Sequence, residues 1–248
     1  MNNTGKVIMA LGSKGGVGTT QIALTLANFY SKQNKKVLLI DADVTSGGIA
    51  LILGKTPKKD IYNLIKDIET NKLGEIHEYL TKYNDNISFI SAPIDIRAAA
   101  LVNIDSLNKI MYQLKLNFDY IIIDTNHSMT SNNVILMEMC DKALIITDGS
   151  LISLKNTRNI NSALKIADMH NYLIVLNDSV RKENSLFSIH EMRNIIGTSI
   201  NYTIPCCFYK PNLDKLLLRG ELIDSNKCSK NVVKHFEKLI KAIDREDI

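Results

Sequence analysis

The sequence predicts an α/β fold: a doubly wound, mostly parallel sheet with helices on both faces. Three observations carry that prediction. Short continuous apolar runs recur along the chain, as strands buried on both faces require. Stretches with apolar residues every three or four positions separate them, as amphipathic helices require. A glycine-rich turn, Gly12-Ser13-Lys14-Gly15-Gly16-Val17-Gly18-Thr19-Thr20, joins the first run to the first such stretch. Strands alternate with helices through 248 residues without a linker, repeat or low-complexity segment, so one domain spanning 1–248 is expected.

Val7 to Leu11 reads as the first strand, and Ile22, Ala23, Leu26, Ala27 and Tyr30 mark the helix after the turn. Strand, glycine-rich loop and helix N-terminus form the context of a phosphate-binding loop. The glycines let successive backbone N–H groups point inward, and the helix end adds positive potential. Gly15, Gly16, Val17, Gly18, Thr19, Thr20 and Gln21 are the candidate phosphate contacts, with the Thr20 hydroxyl where a magnesium ligand is wanted. The common motif places lysine before that hydroxyl; here the position is Thr19.

Val37 to Ile40 is a second strand ending at Asp41, followed by Asp43 and the flexible Thr45-Ser46-Gly47-Gly48. Ligands of parallel sheets gather at the carboxyl ends of the strands, so Asp41 and Asp43 share an edge with the glycine loop. Ile49 to Leu53 reads as a helical turn, Ile61 to Ile68 as a helix, Leu73 to Leu80 as another short helix, and Ile87 to Ile90 as a strand. A helix is expected over Ile104 to Leu116. Tyr120 to Ile123 is then a strand with Asp124 at its tip, the pattern of a carboxylate that holds magnesium through water. In the loop Thr125-Asn126-His127-Ser128, placed to sense a terminal phosphate, His127 reads as a surface residue, with a proton carrier as the alternative. Ala143 to Thr147 is a strand, Leu154 to Met169 a helix, and Tyr172 to Leu176 a strand ending at Asn177, an amide able to read a purine edge. Ile189 to Ile196 is a helix, and Ile200 to Ile204 the last strand, closed by Pro205. The final helix carries Val232, Val233, Phe236, Leu239, Ile240 and Ile243 on one stripe. It is read as core-packed, with peripheral membrane contact as the alternative.

Composition bounds the function classes. The 45% hydrophobic and 23% charged content is that of a soluble globular protein, and a formal charge of +4 is too mild to imply nucleic acid by itself. No apolar run approaches the ~18 residues of a membrane helix, and the polar Met1 to Gly5 does not open a secretory signal. The expected location is cytoplasmic. Cys140 and Cys228 are isolated and Cys206 and Cys207 adjacent, with no zinc spacing; reduced thiols are expected.

Taken together, Lys14-Gly15-Gly16-Val17-Gly18, Leu39-Ile40-Asp41-Ala42-Asp43 and Ile122-Ile123-Asp124-Thr125 resemble the ParA/MinD superfamily of deviant-Walker P-loop ATPases. Within it, the Gly-Val-Gly-Thr-Thr variant looks most like the CpaE/TadZ branch, which serves assembly and polar placement of Tad-type pili. Gly47 to Gly54, Ser91-Ala92-Pro93, Asn177 and Ile204-Pro205 read similarly. The receiver-like domain of many members of that branch is expected to be missing, since the chain opens on the ATPase strand.

The resemblance implies a P-loop NTPase fold, ATP and Mg2+ as ligands, and a homodimer formed on ATP binding. It implies that Lys14 reaches the partner subunit's nucleotide, that Gly15 to Gly18 supply amides to the phosphates and that Thr20 binds magnesium. By the same resemblance Asp41 and Asp124 hold the magnesium shell, Asp43 orients the attacking water, and Asn177, Pro205 and the residues after it contact adenine. It also implies a protein partner in a pilus or secretion assembly and recruitment to a cell pole or the inner membrane face. Where the family carries prolines after the strand-end aspartate, this chain has Asn126 and His127. Threonine at position 19 removes one charge-assisted contact, roughly 1.5–3 kcal/mol, so slow hydrolysis is expected. Two other functions stay open: a scaffold that holds ATP without hydrolysing it, and a partition ATPase that binds DNA non-specifically.

Overall fold

Residues buried on both faces of a parallel sheet gain nothing from alternation, and this chain's strands are nearly continuous apolar runs for that reason. A computed structural model describes residues 4–178, 187–205, 219–222 and 229–245. Its strands are β1 (Lys6–Gly12), β2 (Val37–Asp41), β3 (Thr81–Lys82), β4 (Ile87–Ile90), β5 (Tyr120–Asp124), β6 (Lys142–Thr147), β7 (Tyr172–Asn177) and β8 (Tyr202–Ile204). They form one sheet in the order β3-β4-β2-β5-β1-β6-β7-β8. All pairs are parallel except β3 with β4. The predicted α/β architecture is therefore present.

Successive residues of each strand feed opposite cores. Ile8, Ala10, Leu39, Ile122 and Ile146 pack under α1 (Thr19–Lys32), α2 (Ile49–Ile52) and, at the far end of the chain, Lys230–Asp244. Val7, Met9, Leu38, Ile40, Ile121 and Ile123 pack under α3 (Ile61–Glu69), α4 (Asn108–Asn117), α5 (Ser131–Met139), α6 (Leu151–Ile166) and α7 (Ile189–Ile196). The register sets Asp41 of β2 beside Asp124 of β5, and Asp124 beside Ala10 of β1. Three strand tips thus end at one place, next to the glycine turn that leaves β1.

Several expectations change in detail. The helix expected over Ile104 to Leu116 is a 3-10 turn, Ile104–Leu107, followed by α4. The short helix expected over Leu73 to Leu80 shrinks to the 3-10 turn Ile76–Tyr79. The sixth helix runs from Leu151 to Ile166 rather than from Leu154 to Met169, and the last strand starts at Tyr202 rather than Ile200. The sequence reading missed α5 because its buried face is Asn133, Leu136 and Met137, and an asparagine breaks the apolar stripe. It also missed the 3-10 segment Ile96–Leu101, whose end residues Ile96 and Leu101 face solvent, and the two-residue edge strand β3.

The last helix, α8 (Lys230–Asp244), seals the α1 side of the sheet. Val232, Phe236, Leu239, Ile240 and Ile243 are buried there, so its apolar stripe is spent on the core, while Lys234, Lys238 and Lys241 face solvent. The Phe236 ring stacks on Phe29 at 5.3 Å. Tyr30 and Tyr120 stack at 3.7 Å, and both hydroxyls donate to Asp244 Oδ1, at 3.2 and 3.0 Å. Burial, with the Asp244 charge adding, raises both phenol pKa values, so they remain donors. Among the described residues no helix is long and apolar enough to cross a membrane. Phe236→Ala should leave a cavity in this core and cost about 3–5 kcal/mol; urea unfolding midpoints of the variant and the parent protein measure it.

Candidate functional site

Between β1 and α1 the chain makes a turn that few residues other than glycine tolerate. Gly16 (φ 79°) and Gly18 (φ 90°) both lie in the left-handed region. Gly18 is also the N-cap of α1, with no side-chain cap and no acidic residue in the first turn, so the first amides of a 14-residue helix are left for a ligand. Val17 is fully buried and anchors the turn beneath its crest. A Cβ on Gly12 would lie 2.6 Å from Thr19 Oγ1; the Thr19 hydroxyl is thus folded back over the end of β1. A cavity of about 280 Å3 opens over this turn, lined by Gly15, Gly16, Gly18, Thr20, Gln21 and Asp43 among others. Gln21 Nε2 is buried there without a hydrogen-bond partner among the described residues.

Two carboxylates stand side by side under the cavity, each 1% exposed: Asp41 and Asp124. Asp41 Oδ2 accepts from the Ile49 amide at 3.0 Å, and the Thr20 hydroxyl donates to Asp124. The Oδ1 atoms of both residues are buried without a partner among the described residues. The loop after β2 crosses directly over Asp41. A Cβ on Gly47 would overlap Ala92 and come within 2.6 Å of Asp41 Oδ1, so this crossing requires glycine. Asp43, half-buried on the cavity wall, accepts from Thr45 Oγ1 at 3.2 Å and the Ser46 amide at 3.1 Å.

This donor set fits a magnesium ion: hard oxygen ligands, with orphaned carboxylate oxygens next to a hydroxyl. Among the described residues no group of three or more His, Cys, Asp or Glu converges on one point. Two carboxylates and one hydroxyl are too few to complete an octahedron, so water or phosphate oxygens would fill the remaining positions.

Lys14, also on the cavity wall, is held in an ion pair. Its Nζ lies 2.7 Å from Asp148 Oδ2, at the end of β6. Burial opposes the Asp148 charge, but Lys14 and Ser150 outweigh it and hold the carboxyl below its ordinary range. The start of α6 grips the same loop. Ser153 Oγ contacts Ser13 Oγ at 2.5 Å and Thr147 Oγ1 at 2.8 Å, and Asn156 Nδ2 donates to the Ser13 carbonyl at 2.9 Å. Sequence reading missed Asp148, Ser153 and Asn156. The only available signal was that Asp148 follows a strand, as Asp41 and Asp124 end theirs.

Comparison with known proteins bears on the family and the fold. A family model described as an AAA domain matches residues 5–187. The septum site-determining protein MinD of Synechocystis is 24% identical over 205 residues, 81% of this chain and 76% of the relative. Among solved structures, the ParA family ATPase from Chlorobium tepidum superposes with a TM-score of 0.82 at 22% identity, covering 94% of this chain and 98% of its own. MinD of Pyrococcus horikoshii complexed with Mg-ADP superposes with a TM-score of 0.78 at 20% identity, covering 97% and 96%. The chain belongs to the ParA/MinD superfamily of P-loop ATPases.

Of the sequence-predicted site residues, this ParA/MinD-superfamily chain brings Lys14, Gly15, Gly16, Gly18, Thr19, Thr20, Gln21 and Asp43 to one cavity, with Val17, Asp41 and Asp124 directly beneath it. Asn177 and Pro205 are not on the cavity wall. Asn177 is fully buried at the end of β7, and its Nδ2 donates to the Val17 carbonyl at 2.8 Å, so this amide braces the glycine turn from below. The residues after Pro205 expected at adenine lie outside the described residues, as do Cys206, Cys207 and Cys228; Cys140 is a free, buried thiol.

The buried carboxyls tie stability to pH. Burial pushes Asp41 up to about 7, the Ile49 amide opposing and the Asp43 charge adding. Burial likewise raises Asp124 well above the carboxylate range, with the Asp41 charge adding. Between about pH 4 and 7 the folded chain keeps protons that the unfolded chain has released. The contribution of these groups is therefore full below pH ~4 and lost as pH rises through the folded values. In metal-free buffer the melting temperature should fall from pH 5 to 8. Asp41→Asn should flatten that fall and gain up to about 4 kcal/mol at pH 8. Thermal melts of both proteins across this range check it, and a wild-type curve that climbs would contradict it.

Proposed function

We propose that this chain is a single ATPase domain acting as a slow, nucleotide-gated dimeric switch that positions or assembles a larger cellular machine. One observation carries the reading: two buried carboxylate oxygens, without a hydrogen-bond partner among the described residues, lie beside a hydroxyl at the foot of an open glycine turn. Backbone amides of Gly15 to Gly18 would bind the phosphates of ATP, and Thr20, Asp41 and Asp124 would hold magnesium, which offsets phosphate charge when bound. Asp43 would orient the attacking water. Lys14 would leave Asp148 to reach a second copy, so ATP binding and dimerisation are coupled through one ion pair. Membership of a superfamily that includes septum site-determining proteins supports a positioning role. The pilus assembly of the CpaE/TadZ branch is the machine we assign, supported by the Gly18-Thr19-Thr20 resemblance. Recruitment to a pole or the inner membrane face would follow from that partner.

Slow turnover follows from Thr19, which is uncharged and folded back toward Gly12. A partition role is the second reading, favoured by the outward-facing Lys234, Lys238 and Lys241 on α8. DNA retention that needs ATP and weakens steeply with salt would select it.

Thr19→Lys should raise ATP turnover by roughly ten- to a hundredfold, the return of one charge-assisted contact. Steady-state phosphate release, measured with sedimentation of the ATP-bound and ADP-bound protein, tests this. A wild-type turnover of ~1 per second or more from a monomeric sample would overturn the proposal.

A further inference from the structure

The cavity lacks the cation that a phosphate loop usually supplies from its own helix. Thr19 carries no charge, and Lys14 is committed to Asp148 at 2.7 Å. Among the described residues the other basic side chain on the wall is His127, in the loop that follows β5. Its ring lies over the start of the glycine turn: a Cβ built on Gly15 would sit 3.8 Å from His127 Cε1 and 3.9 Å from Nδ1. Beside it the crest at Gly16 is open, with nothing within 4 Å of a Cβ position. The imidazole therefore stands on the cavity wall against Gly15.

The loop holding His127 is tied down on both sides. Thr125 Oγ1 donates to the Ala10 carbonyl at 2.9 Å. Asn126 Oδ1 accepts from the Ser128 amide at 3.0 Å and from Asn133 Nδ2 at 2.8 Å, and Asn133 Nδ2 also donates to the Ser128 carbonyl at 2.7 Å. Asn133 is the buried amide that interrupts the apolar face of α5. Its burial gains nothing for the core, yet it fixes both neighbours of His127. The side chain between them is exposed and free to meet a ligand.

We propose that His127 donates a hydrogen bond from its imidazole to the terminal phosphate of ATP, supplying part of the contact that Thr19 cannot make. This rests on the nucleotide-site reading above. His127 is a binding and positioning group, and the contact exists only while the terminal phosphate is present. The site therefore distinguishes ATP from ADP through a residue on the loop next to Asp124, which couples the state of the nucleotide to α5.

Calorimetric titration of Mg-AMPPNP and Mg-ADP into the wild type, His127→Ala and His127→Gln tests this. The alanine variant should bind Mg-AMPPNP roughly tenfold or more weakly, the loss of one hydrogen bond to a charged acceptor. Its Mg-ADP affinity should stay within about twofold, and glutamine, which keeps an N–H donor, should recover part of the AMPPNP loss. The melting temperature of the free protein should not move, since the side chain is exposed. Equal losses for both nucleotides, or no loss for either, would overturn the role of His127 while leaving the nucleotide site standing. A wild type that takes up neither nucleotide would overturn the site itself and this role with it.

Discussion

Two carboxylates held side by side out of water make the constraint on which the site rests. Like charges buried together are costly, and the fold offsets that cost only in part: Asp41 accepts from the Ile49 amide and Asp124 from Thr20, while one oxygen of each has no partner among the described residues. A protein that needed only stability would place apolar or amide side chains there. The arrangement makes physical sense as a socket for positive charge. The rest of the edge is built around it, with glycine at position 47 to let a loop pass over Asp41 and strand register to bring Asp124 alongside.

The phosphate turn depends on the same edge from the other side. It leaves β1 between β5 and β6, so its two ends are steered by neighbours far away in sequence. Asn177 braces it from below, and the start of α6 grips Ser13 through Ser153 and Asn156. Lys14 is held within its own chain by Asp148. Under the proposed function, Lys14 would have to give up this partner before it could serve a second subunit. Threonine at position 19 carries no charge, so under the proposed function any cation that compensates the phosphates would come from outside the turn.

Helix α8 closes the core on the α1 side of the sheet. The tyrosine pair at positions 30 and 120 shares Asp244, and Phe236 lies against Phe29, so α8 is stitched to α1 and β5. Its lysines remain on the outer face.

The sequence by itself determined the α/β class, most of the strands and helices, and the chemistry of the three strand-tip and turn segments. Apolar periodicity, glycine placement and strand-end carboxylates are local signals, readable within a few residues. Tertiary structure alone decided which distant groups meet them. Asp148 reaches Lys14 because β6 lies beside β1, and Asn177 faces the turn rather than the cavity because β7 ends beneath Val17. Helix α5 was illegible because its buried asparagine serves a hydrogen-bond network instead of the core. His127 read as a surface residue, and solvent exposure bears that out; its place against Gly15 depends on the packing of α5, which no local pattern encodes.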